Sequence, residues 1–170
     1  RQRQMCIRDS NFHPHQFGGI AVNVNGLTGT DKYRNVLIEG NRVENVGRTG
    51  IVVWDHIFAK YDEACTGVRI RKNSVKDIDS DGILTYGCDG ALIEHNVADG
   101  CGSYREDGGF NGSAAIWCTR GSNCIIQYNE AFNTHMLEGN ADGTAFDIDI
   151  DAIDCIVQYN YSHDNEGGFM

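Results

Sequence analysis

Apolar and polar residues alternate with a period of two along much of the chain, and the alternation recurs. Five segments align without gaps on a central asparagine: VLIEGNRVEN, VRIRKNSVKD, ALIEHNVADG, CIIQYNEAFN and CIVQYNYSHD. The anchors Asn41, Asn73, Asn96, Asn129 and Asn160 lie 32, 23, 33 and 31 residues apart. Three positions before each anchor stand Ile38, Ile70, Ile93, Ile126 and Val157, and five before stand Val36, Val68, Ala91, Cys124 and Cys155. The position between these apolar ones and the anchor is polar in every copy (Glu39, Arg71, Glu94, Gln127, Gln158). Two after the anchor come small or β-branched residues: Val43, Val75, Ala98, Ala131 and Ser162. Such alternation predicts short strands with one buried face.

A second strand motif lies between the anchors, as GIAVNV, GIVVW, GILTY, AIWCT and AFDID. No segment sustains an apolar period of 3.6, so helix is not expected. A repeat this short cannot bury its own apolar face, whereas stacked copies can. Parallel stacking at about 4.8 Å would bring equivalent positions into columns. The fold class is therefore all-β: a single-stranded parallel β-helix of about five coils, with three strands per coil and an asparagine ladder at one turn. Asn suits that turn because it tolerates left-handed φ and its amide both donates and accepts.

Composition narrows the partners. The chain has 170 residues, 41% of them hydrophobic, with 21 Gly and 1 Pro, which fits one domain rich in tight turns. A net charge of -10 argues against binding nucleic-acid phosphates. The longest apolar runs are a few residues, so no membrane-spanning helix is expected. Residues 1–10, RQRQMCIRDS, are basic and match no later repeat. They read as an adaptor-like, non-native extension, leaving 11–170 as the β-helix domain. The chain stops at Phe169-Met170 inside an apolar run, as expected of a domain cut from a longer protein.

The Asn-anchored repeats and the stretch AFDIDIDAIDCIVQYNYSHDNEGGFM resemble the right-handed parallel β-helix superfamily that includes pectate lyases, over residues 17–170. The resemblance is strongest to the β-helix repeat proteins of bacterial polysaccharide-degrading systems. It implies a right-handed helix, a secreted, periplasmic or cell-surface location, a polysaccharide partner, and a binding groove on the sheet built from the GIVVW-type strands. The same scaffold serves lyases, glycosidases, epimerases and adhesins, so fold alone does not select an activity.

On that sheet, parity assigns Ile51, Val53, Ile83, Thr85, Ile116, Cys118, Phe146 and Ile148 to the inside. Val52, Trp54, Leu84, Tyr86, Trp117, Thr119, Asp147 and Asp149 fall outside. Trp54, Tyr86 and Trp117 are candidate sugar platforms, because flat aromatic faces stack on sugar rings; the alternative is that loops cover them as satellite core. FDIDID places Asp147 and Asp149 on one face, about 6.7 Å apart along the strand. Such a pair suits acid–base work on a glycosidic bond. With Asp151 it could instead hold Ca²⁺, whose ligands are hard oxygens. Arg120 is the nearest cation, either a clamp for a uronate carboxylate or an ion-pair partner of Asp151.

His56 is a lesser candidate for a base, His163 reads as a turn residue, and His13 and His15 form an unassigned HPH. Glu106, Asp107, Glu138 and Asp142 sit in loops that could wall the groove. The 7 cysteines show no CxxC pair and no zinc spacing. Cys124 and Cys155, stacked in one inward column, read as free thiols filling space. Two function classes follow: an enzyme cleaving a polysaccharide by hydrolysis or β-elimination, or a noncatalytic glycan-binding or surface-structural β-helix.

Overall fold

The structure is a computed structural model that describes residues 6–10, 18–24, 32–55, 64–103, 113–137 and 142–170. His13, His15, His56, Glu106, Asp107 and Glu138 lie outside the described residues. Parallel strands stack into a β-solenoid of about 4 turns, with three main sheets and no helix among the described residues. One sheet carries the strand before each anchor: β3 (Leu37–Glu39), β7 (Arg69–Arg71), β11 (Leu92–Glu94), β14 (Ile125–Gln127) and β17 (Ile156–Gln158). The next carries the strand after it: β4 (Arg42–Val46), β8 (Ser74–Ile78), β12 (Val97–Cys101), β15 (Glu130–Phe132) and β18 (Tyr161–His163). In this sheet β1 (Cys6–Ser10), inside the segment set apart above, runs parallel beside β4. The third holds β2 (Ile20–Val24), β5 (Ile51–Asp55), β9 (Ile83–Tyr86), β13 (Ala114–Thr119) and β16 (Thr144–Asp149). A two-stranded ribbon joins β6 (Cys65–Thr66) to β10 (Cys88–Asp89).

The expected columns are the observed registers. Ile38, Ile70, Ile93, Ile126 and Val157 pair in one line, and Val43, Val75, Ala98, Ala131 and Ser162 in another. Ile70, Ile93 and Ile126 are wholly buried, while Val157, on the last coil, is only partly so. A coil alone would leave these faces wet; stacking removes each from water, worth about 1.5–3 kcal/mol per large aliphatic side chain.

The anchors form a continuous ladder. Asn73 Nδ2 and its backbone N–H both donate to Asn96 Oδ1 at 3.0 Å, and Asn96 repeats this on Asn129 at 2.9 Å. Each amide also reaches a strand carbonyl: Asn73 donates to Ile38, Asn96 to Ile70 and Asn129 to Ile93. One expectation needs correcting. The left-handed residue is not the anchor but its predecessor: Gly40, Lys72, His95, Tyr128 and Tyr159 have φ of 69°, 55°, 56°, 54° and 54°. A non-glycine residue there is strained by about 1–2 kcal/mol. The anchor's contribution is thus its amide, which ties the turn to the next coil, while the strain falls on the residue before it.

Candidate active site

The third sheet presents two outward rows. Val52, Leu84, Trp117 and Asp147 are neighbours in register, and so are Trp54, Tyr86, Thr119 and Asp149. Phe146 is fully buried and Ile148 packs against the core, so the parity read from FDIDID places both acids outside. The opposite parity would bury the carboxylates at a cost that nothing in the core could offset.

This face is not bare. Val52 and Leu84 are buried but lie outside the central core cluster, and Trp54, Tyr86 and Trp117 are half-buried. Some of this face is therefore covered as a satellite layer, while the three large rings keep some exposure. Trp54 and Tyr86 stack with centroids 4.1 Å apart and planes 13° from parallel. Arg120, in the left-handed turn after β13, stands 6.0 Å over the Tyr86 ring and 3.8 Å from the Asp151 carboxylate. The ion pair anticipated for Arg120 is present, and with it a cation–π contact. Asp151 is itself in a left-handed turn, exposed, and engaged with Arg120. Asp147, Asp149 and Asp151 do not converge as three oxygen donors; among the described residues the one group of three convergent metal-ligating side chains is made of cysteines.

The two acids differ in surroundings. Partial burial pushes the Asp147 carboxyl above its ordinary value, and the charges of Asp149 and Asp142 add to the shift. The backbone N–H of Ile148 donates to Asp147 Oδ1 at 2.8 Å and opposes it. Burial likewise raises the Tyr86 hydroxyl, against Arg120, with Asp151 and Asp149 contributing. Tyr86 therefore lies within electrostatic reach of the acids at the far end of the sheet.

One buried acid escaped the sequence reading. Asp81, just before β9, is buried and accepts from Trp117 Nε1 at 3.0 Å through Oδ1. Ser80 and Thr49 hydroxyls donate to its other oxygen at 3.2 and 3.4 Å. Burial raises its pKa to about 6, opposed by Arg48 and by the hydrogen bonds from Ser80 and Trp117. Asp81 fixes the plane of the ring that neighbours Asp147. The only hint in sequence is an acid opening a strand in SDG, a signal shared by countless turns. His163, read as a turn residue, instead ends strand β18, where it stacks on its register neighbour Phe132, with centroids 4.7 Å apart, and contacts Asp164 and Glu130.

No protein-family model matches the chain. A lacto-N-biosidase of Bifidobacterium longum subsp. longum is 34% identical over 161 residues, which covers 79% of this chain and 10% of that protein. The crystal structure of a GH136 lacto-N-biosidase from Eubacterium ramulus superposes with a TM-score of 0.81 at 25% identity. It covers 98% of this chain and 31% of that one, and its selenomethionine derivative gives 0.78. The chain thus spans about a tenth of the curated relative and about a third of the solved chain.

Proposed function

We propose that this solenoid is part of a glycoside hydrolase of the lacto-N-biosidase kind, acting on an oligosaccharide or polysaccharide laid along the third sheet. The observation that carries the reading is the placement of an acid pair and an aromatic row on one outward face, in a chain similar to lacto-N-biosidases. Asp147, whose carboxyl holds its proton to higher pH, is suited to be the general acid that protonates the leaving oxygen. Asp149 is the second carboxylate, which supports the positive charge developing at the anomeric carbon by attacking it or by activating water. Trp54 and Trp117 are the sugar platforms, and Tyr86, held between Trp54 and Arg120, braces the Trp54 end of the groove. Hydrolysis fits better than β-elimination, which needs a basic residue at the abstracted proton; the groove strands carry no Lys. A location outside the cytoplasm goes with such a substrate.

The test is turnover of an aryl lacto-N-bioside and of a polysaccharide panel by the protein carrying this chain. Asp147→Asn or Asp149→Asn should lower turnover by about 10²–10⁴-fold with stability within about 1 kcal/mol of the parent. Full activity in both variants would remove the pair from the mechanism. Unchanged glycan affinity in a parent with no turnover would favour the noncatalytic binding module.

A further inference from the structure

Three thiols meet inside the solenoid, at the corner between the third sheet and the strand before the anchor. Cys118 points inward from the end of β13, Cys124 precedes β14, and Cys155 stacks on Cys124 one coil later. Their sulfurs all lie within 4.8 Å of one another. Cys118 and Cys124 are 1% exposed and Cys155 is partly exposed, so the group is closed on the core side and open toward the last coil. The three are free thiols.

We propose that Cys118, Cys124 and Cys155 form a binding site for one soft divalent cation of the zinc or cadmium class. The geometry closes with little movement, because three sulfurs about 2.3 Å from a shared ion in a trigonal array are about 4.0 Å apart. Soft sulfur donors select such ions over calcium or magnesium. The ion displaces the three thiol protons to water, leaving a complex with one net negative charge at the partly exposed Cys155 edge of the core. The backbone is arranged around the sulfurs already. Cys124 Sγ donates to the Cys88 carbonyl at 3.4 Å, and Cys155 Sγ to the Gly121 carbonyl at 3.8 Å. These carbonyls hold the thiols in place and offer oxygen at the edge of the site.

A further observation sets the group apart from thiols that merely fill space. Thr85, the register neighbour of Cys118, is 1% exposed, and its buried hydroxyl has no hydrogen-bond partner among the described residues. A polar atom thus stands in the core one rung from the cluster.

The probe is Cd²⁺ added to the reduced chain under anaerobic conditions. A thiolate-to-cadmium charge-transfer band should saturate at one ion per chain, with release of three protons and affinity rising with pH. In the folded chain cadmium should protect the partly exposed Cys155 from alkylation, which proceeds at Cys155 in the metal-free protein. Each of Cys118→Ser, Cys124→Ser and Cys155→Ser should weaken binding at least about 10–100-fold, while Cys101→Ala should leave it unchanged. Absence of the band, a band that survives all three substitutions, or alkylation of Cys155 unchanged by cadmium would each overturn the proposal. The alkylation map is read on the parent sequence, so a variant that fails to fold does not blunt the test. Loss of the thiols to a disulfide that resists reduction would overturn it as well.

Discussion

At the scale of the residue, the ladder asparagines are not equivalent. Asn96 accepts from the backbone and amide of Asn73 and donates to Asn129 and the Ile70 carbonyl. Asn41, on the first rung, uses its side chain only to donate to Asn73. At about 1 kcal/mol net per hydrogen bond, Asn96→Ala should destabilise the chain by about 2–3 kcal/mol more than Asn41→Ala. Urea melts of the two variants decide it; equal midpoints would make the amides local turn formers only. Asp81 offers a second test. Its folded pKa of about 6 lies above the ordinary 3.8, so its stabilising contribution is complete below that value and is lost as pH rises through about 6. The loss is on the order of 3 kcal/mol. Asp81→Asn should remove this fall while keeping an acceptor for Trp117, so the variant gains on the parent between acid and neutral pH. Parallel stability curves for the two proteins would show that Asp81 carries no such charge penalty.

Within the element, the close approach of successive rungs sets what each strand tolerates. Gly82 opens β9 beneath Ala115, and a Cβ added there would meet the Ala115 carbonyl oxygen at 2.4 Å and Cys101 Sγ at 2.8 Å. A backbone oxygen cannot turn aside as a flexible side chain can. Gly82→Ala should therefore cost about 1–3 kcal/mol, as overpacking does, and a melt unchanged by the substitution would mean that the rungs are looser than they stand. The columns were legible in the sequence because both their causes are local: period-two alternation fixes parity, and the anchor fixes register. Ile93, Val75 and Asp147 needed nothing else. The Asp81–Trp117 bond was not legible, since it joins residues 36 apart that meet only once a coil has closed. The three sulfurs were hidden for the same reason: Cys124 and Cys155 share a column, but Cys118 comes from another strand and reaches them around a corner. The left-handed position was misplaced by one residue, because a turn's strain and its hydrogen bonding need not fall on the same side chain.

Taken whole, the molecule leaves its last coil partly uncovered: Ile150, Ile153, Ile156, Tyr159, Tyr161 and Phe169 are exposed. Such an apolar end with strand edges invites stacking on another molecule. The chain of 170 residues should therefore associate with rising concentration in spite of its net charge of -10, as sedimentation velocity would show; a monomer at all concentrations would mean the end face is protected. The coils themselves differ in length, from 23 to 33 residues, yet the rungs keep one pitch. All the difference is carried by connections between strands, so the third sheet works as a graduated rule whose marks do not depend on how much chain lies between them. Trp54, Tyr86, Thr119 and Asp149 stand on four successive marks. At about 4.8 Å per mark, the stacked aromatic pair and the acid lie about 10–14 Å apart along the axis. A single sugar ring cannot touch both. On the function proposed above, a glycan that rests on the rings and reaches Asp149 lies parallel to the solenoid, across the rungs that separate them.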